Sequence, residues 1–251
     1  MLSSKEFEIR NRRGKRLCAT VRVPKGGVRG TALVIHGLAG WRNQSTVIGI
    51  AEALTASGYQ TVTFDGADCL KGPDASFWNA TTTGFIEDVE DMVAFVRSAS
   101  WFRPPFLLGG HSLGAMSAVR YERTHPGTSS ELLLVAPAIS WRVDRKDKFL
   151  HRMRFLREQV RHMQKKGVLM PIYPPWLIDY LRYDTRKDAP HISCPVFMIS
   201  AGNDLTVASI EEQRKLVHLF PHITYAEIDG ASHIFHEHER ELADTIKQWH
   251  T

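Results

Sequence analysis

The sequence predicts an α/β fold, a mostly parallel sheet with helices on both faces. Three observations predict it. From residue 31 onward, segments of strand character alternate with segments of helical period. The strands, among them "TALVI", "FLLGG" and "ELLLV", are continuous apolar runs rather than alternating ones, as strands buried on both faces are. Most of them end in a short cluster of Gly, Asp, Asn or Ser, where a chain turns.

The elements follow in order. "FEIRN" and "LCATVRV" flank "RRGK" and predict a hairpin over 6–23, with Gly14 at its turn. "TALVIHG" (31–37) is a buried strand, and "VIGIAEALTASG" (47–58) is a helix stopped by Gly58. "YQTVTFDG" (59–66) is the next strand. In "FIEDVEDMVAFVRS" (85–98), Ile86, Val89, Met92, Val93 and Val96 share one helical face. The acids Glu87, Asp88, Glu90 and Asp91 are expected on a solvated face opposite. "PFLLGG" is a strand, 112–123 a helix, and 131–138, 194–202 and 223–230 are strands. Helices are expected at 208–219 and 237–250. With the hairpin, this makes eight strands.

One segment breaks the rhythm. About 55 residues separate the strands at 131–138 and 194–202, where one helix would suffice. The sheet resumes directly afterwards, so 141–190 reads as a cap inserted into a core made of 1–140 and 191–251. The chain's net charge of +5 belongs to that cap, which carries 13 Lys or Arg against 6 Asp or Glu. A solvated helix face, attraction of an anionic substrate such as an acyl thioester, and contact with an anionic membrane surface are its three readings. No nucleic-acid-binding motif accompanies it.

Composition is that of a globular domain, with 43% hydrophobic and 24% charged residues. The first residues lack the apolar stretch of a secretion signal, and no run of 18 apolar residues suggests a membrane span. Cys18, Cys69 and Cys194 are odd in number and widely spaced. Free thiols and a cytoplasmic location are the expectation, with no metal site among them.

Chemistry concentrates at strand ends, where open α/β sheets gather ligands. Ser112 stands in "GGHSLG" between a strand and a helix. A turn that sharp pushes the hydroxyl out, and it needs small residues at 110 and 114. A serine nucleophile requires a base. His233, in the loop after the last strand, is placed for that role; His36 and His111 occupy structural positions, His151 and His162 belong to the cap, and His236, His238 and His250 to the polar C-terminal helix or its approach. Asp204, after the strand ending "ISAGND", is the acid to orient the imidazole, with Asp229 as its rival. The backbone N–H groups of Leu38, in "HGLAG", and Leu113 would stabilise an oxyanion. Asp65, Asp68 and Asp74 are read as loop anchors, and Cys69 as a bystander near the site.

With these residues in place, the chain resembles the α/β-hydrolase superfamily. The resemblance runs through "VIHGLAG", "GGHSLG", "LLLVAPA", "SAGNDLTV" and "DGASHIF". Within the superfamily it is most similar to small bacterial carboxylesterases of the cinnamoyl/feruloyl type and to serine-aminopeptidase-like and monoacylglycerol-lipase-like enzymes. The resemblance implies the α/β-hydrolase fold, Ser112, Asp204 and His233 as a catalytic triad, and Leu38 and Leu113 as oxyanion donors. It implies no metal or organic cofactor. The turn "FDGADCLKG" after the fourth strand departs from the usual esterase pattern, matching it only at Gly66. The expected activity is hydrolysis of carboxylic esters through an acyl-enzyme, with a thioesterase and a lysophospholipase or monoacylglycerol lipase as alternatives. A non-catalytic binding module is the remote one. The expected partner is a small-molecule ester or thioester, bound by a monomer or homodimer. The cap aromatics Trp141, Tyr173 and Trp176 are either walls of its pocket or packing of the cap on the core.

Overall fold

The computed structural model of the chain describes residues 3–71, 80–140 and 179–250. Its sheet has eight strands: β1 (Ser3–Arg10), β2 (Arg16–Val23), β3 (Gly30–Ile35), β4 (Tyr59–Asp65), β5 (Phe106–His111), β6 (Glu131–Val135), β7 (Val196–Ala201) and β8 (Ile223–Ile228). They lie in the order β1-β2-β4-β3-β5-β6-β7-β8. Strand β2 runs antiparallel to both its neighbours, and the pairs from β4 through β8 are all parallel. The described helices are α1 (Ser45–Ala56), α2 (Thr82–Ser98), α3 (Leu113–Thr124), α4 (Thr185–Asp188), α5 (Ile210–Val217) and α6 (Glu239–Trp249). The strands and helices predicted outside 141–190 are all present, with ends displaced by a few residues.

The apolar runs have a direct explanation in this arrangement. Consecutive side chains of a strand point to opposite faces, so a strand covered twice must be apolar at every position. Leu33, Ile35, Leu108, Leu132, Leu134 and Met198 pack on one face with Val89, Met92 and Val96 of α2 and Val119 of α3. Their neighbours Ala32, Val34, Leu107, Leu133, Val135 and Ile199 pack on the other with Ile50 and Leu54 of α1 and Leu242 and Ile246 of α6. Burying one such Leu or Ile contributes about 2 kcal/mol.

Strand order reverses next to β3. The chain leaves β3 for α1 on one face and leaves the adjacent β5 for α3 on the other, opening a crevice at their carboxyl ends. That edge also holds the strain of the molecule. Ala39, Ser112, Ala136, Phe235 and Glu237 have positive φ without being glycine, and all five follow the ends of β3, β5, β6 and β8.

The proposed cap at 141–190 lies largely outside the described residues. Trp141, Tyr173 and Trp176 fall there, as does Asp74. Of the segment's cations, Arg182 pairs with Asp179 at 3.3 Å and Arg186 with Asp184 at 2.6 Å. No helix among the described residues is long and apolar enough to cross a membrane.

Candidate active site

Ser112 sits between β5 and α3 with φ 57° and ψ −117°. Holding a serine there costs about 1–3 kcal/mol, which the surrounding packing must offset. The flanking glycines are what make the turn possible. A Cβ on Gly110 would lie 2.5 Å from the carbonyl carbon of Gly114, and one on Gly114 would run into the carbonyl oxygen of Ile35. The turn presents Ser112 Oγ to His233, whose Nε2 is 3.0 Å away. Ser112 is 7% exposed, so it is largely shielded from bulk water.

His233 follows β8 on a loop that Asp229 and Gly230 turn. Its Nδ1 lies 2.7 Å from Asp204 Oδ2. A carboxylate oxygen accepts, so Nδ1 carries the proton and Nε2 is the lone pair facing the serine. Asp204 follows β7, and its other oxygen accepts from the backbone N–H groups of Thr206 at 2.8 Å and Val207 at 3.1 Å. Burial pushes this carboxyl up, but the His233 hydrogen bond and charge and the two backbone donors outweigh it. The pKa of Asp204 is held below the ordinary aspartate value. The acid and base loops are tied together, since Asn203 N–H donates to Ala231 O at 2.9 Å and Gly202 N–H to Ile228 O at 2.8 Å. The rival Asp229 is exposed and accepts from Gly230 N–H at 2.9 Å, the turn-capping role.

Beside the serine lies a cleft with about 360 Å³ of empty space, counting its open mouth. Leu38 and Leu113 both line it, so the two residues expected to offer backbone donors meet at one place. Ala80 and Phe85 add apolar wall, and Cys69, read as a bystander, is also part of it. His36 is part of its lining. It donates from Nδ1 to Gly37 O at 2.7 Å and accepts at Nε2 from Gly66 N–H at 3.3 Å, which joins the loops after β3 and β4. Burial lowers the His36 pKa to about 4, so the ring is neutral. Among the described residues no cluster of His, Cys, Asp and Glu could hold a metal ion.

Asp88 corrects one expectation. It is 1% exposed rather than solvated. Its Oδ2 accepts from Ala67 N–H at 2.8 Å, and its Oδ1 accepts from Asn11 Nδ2 at 2.6 Å and Arg13 Nη2 at 2.8 Å. Burial pushes its carboxyl up against the pull of these donors. Asp68 of the same cluster pairs with Lys15 at 2.6 Å. Asp65 accepts from Arg42 Nη1 at 2.6 Å, a loop anchor as expected. The hairpin tip 11–15 therefore braces the cleft's outer wall. No local pattern in the sequence joins it to α2. His250 stands at the C-terminal cap of α6, as expected, and its ring also packs against Tyr59 and Trp249.

The model of the Alpha/beta hydrolase family matches residues 32–245. The chain belongs to this family. No curated protein matches the chain in sequence. Among solved structures it is similar to the Est1E protein of Butyrivibrio proteoclasticus with bound ferulic acid, at 15% identity and TM-score 0.77 over 97% of each chain. The esterase domain of a Rhodothermus marinus protein is similar at 21% identity and TM-score 0.68, over 98% of this chain and 97% of the other. XC6422 of Xanthomonas campestris, described as an a/b serine hydrolase without lid, is similar at 18% identity and TM-score 0.68, over 98% of this chain and 93% of the other. At these identities the likeness establishes the α/β-hydrolase fold.

Proposed function

We propose that this α/β-hydrolase family member is a serine hydrolase that cleaves carboxylic esters. The observation that carries the reading is the unbroken hydrogen-bond chain from Ser112 Oγ to His233 Nε2 and from His233 Nδ1 to Asp204 Oδ2, next to a cleft lined by Leu38 and Leu113. His233 takes the Oγ proton as the oxygen attacks the ester carbonyl, and Asp204 stabilises the imidazolium. The backbone N–H groups of Leu38 and Leu113 receive the oxyanion, each worth about 3 kcal/mol in such a site. The imidazolium then protonates the departing alkoxide, leaving Ser112 acylated. A water deprotonated by His233 attacks the acyl carbonyl, and the acid and free serine are released. Neither metal nor organic cofactor enters these steps.

The Rhodothermus marinus structure, described as an esterase domain, agrees with this reading. Leu38, Ala80, Phe85 and Cys69 favour an apolar group lying against the oxyanion side. The thioester reading rests on the basic segment at 141–190, and a substrate panel separates the two. Wild-type protein is expected to hydrolyse p-nitrophenyl esters and to be labelled on Ser112 by a fluorophosphonate. Faster turnover of acyl thioesters than of oxygen esters, falling steeply with added salt, would replace the ester reading with the thioester one. An unlabelled Ser112 would refute both.

A further inference from the structure

His111, the last residue of β5 and the one immediately before Ser112, makes a contact that acyl transfer itself does not use. Its ring is 2% exposed. Its Nε2 is 2.8 Å from the backbone carbonyl oxygen of His233, and the two imidazoles lie 4.6 Å apart between centroids at 44°. A carbonyl can only accept, so His111 Nε2 carries the proton. Its Nδ1 is then a lone pair, buried and without a hydrogen-bond partner among the described residues. That side of the ring faces Gly37, where a Cβ would come within 3.3 Å of Nδ1. One ring is thus wedged between the oxyanion-side loop and the base.

The loop bearing His233 needs such a wedge. It lies beyond the end of β8 and passes through positive φ at Phe235 and Glu237, so no ladder fixes its height above the sheet. Its other ties end on neighbours of the base: Asn203 N–H on Ala231 O at 2.9 Å, and Thr46 Oγ1 on Ile234 O at 2.8 Å. The His111 bond ends on His233 itself. β5 is a firmly held anchor, paired on both sides and buried throughout.

We propose that His111 is a positioning residue for His233, its Nε2–H tethering the base's own carbonyl so that the imidazole stays aligned between Ser112 and Asp204. This rests on the serine-hydrolase reading above. The tether works because it is neutral. Burial, and then the neighbouring His233, lower the His111 pKa to about 3. A cation at this distance would oppose the imidazolium that must form on His233.

The test compares three variants by p-nitrophenyl acetate kinetics, fluorophosphonate labelling rate and Tm. His111→Gln places an amide N–H near the former Nε2, His111→Leu keeps bulk without a donor, and His111→Asn is polar but too short to reach. The Leu and Asn variants are expected to lose 10- to 100-fold in kcat and in labelling rate with KM within about twofold, as a displaced base should. The Gln variant is expected to recover to within about fivefold of wild type, although all three lower Tm. If the Leu variant does not fold, the Gln and Asn pair carries the same comparison. Equal kcat in the Gln and Asn variants, or undiminished kcat in both the Leu and Asn variants, overturns the proposal. A wild type that neither hydrolyses ester nor labels overturns the serine-hydrolase reading and this inference with it. An active wild type with equally active variants overturns this inference alone.

Discussion

Two polar networks, each built round a buried aspartate, lie beside the same cleft, yet they end differently. On one side Asp204, His233 and Ser112 form a line whose last member is a hydroxyl, adjacent in the chain to Leu113 of the cleft wall. On the other, Asp88, Asn11, Arg13 and the Ala67 N–H close on one another, with Asp68 and Lys15 completing the set. In the first, a carboxylate holds a base that can take a proton. In the second, every donor aimed at Asp88 is a fixed N–H or a permanent cation, so both carboxylate oxygens are held by structural partners and none of those partners is a base. A carboxylate's partners, more than its burial, decide whether it does chemistry or holds structure.

Substitutions can break this contrast, and the largest effect belongs to the open network. Ser112→Ala is expected to abolish p-nitrophenyl ester hydrolysis and fluorophosphonate labelling while the protein stays folded by circular dichroism. Labelling that persists would show that another nucleophile is at work. Next comes Asp204→Asn, expected to lower kcat by about 10⁴, because a neutral amide selects the wrong imidazole tautomer and stabilises no charge. Asp229→Asn should stay within about twofold, as befits an exposed turn residue. A reversal of those two rates would exchange the acids.

The closed network should answer in stability instead. Asp88→Ala strands Arg13 and the Ala67 N–H, and is expected to cost about 3 kcal/mol in chemical denaturation. The rate per folded molecule should change less than tenfold. A large kcat loss at unchanged stability would mean that the brace takes part in the chemistry. The smallest effect tests a group remote from both networks. Burial lowers the His250 pKa from 6.5 to about 4. A depressed folded-state pKa contributes stability in full above pH 6.5 and loses it as pH falls toward 4, since the unfolded chain binds the proton first. His250→Gln should therefore flatten the decline of Tm between those pH values and leave ester hydrolysis unchanged. An unaltered slope would remove His250 from the acid response.

The two networks also differ in how far the sequence revealed them. Each member of the open one stands beside a local mark: Ser112 between two glycines, Asp204 and His233 just past apolar strands. A residue's place at a strand end is written in its immediate neighbours. The members of the closed network carry no such mark. Asp88 is one acid among four on α2, and its partners are 21 to 77 residues away along the chain. The ring contact of His250 was hidden in the same way, since Tyr59, against which it packs, belongs to a strand far earlier in the sequence. His111 was legible as a turn residue, but its bond spans 122 positions to a carbonyl that no side-chain pattern encodes.

What the sequence determined by itself is the order of strands and helices, the face each helix buries and the strained turn at Ser112. These follow from short apolar runs, a period of 3.6 residues and the steric needs of a few glycines, all of them local. Tertiary structure alone decided which carboxylate became a structural anchor and which ring came to lie against which loop. Those outcomes depend on strand order and crossover, which bring distant segments within hydrogen-bond range. A buried donor or acceptor must then satisfy itself with whatever partner the fold delivers.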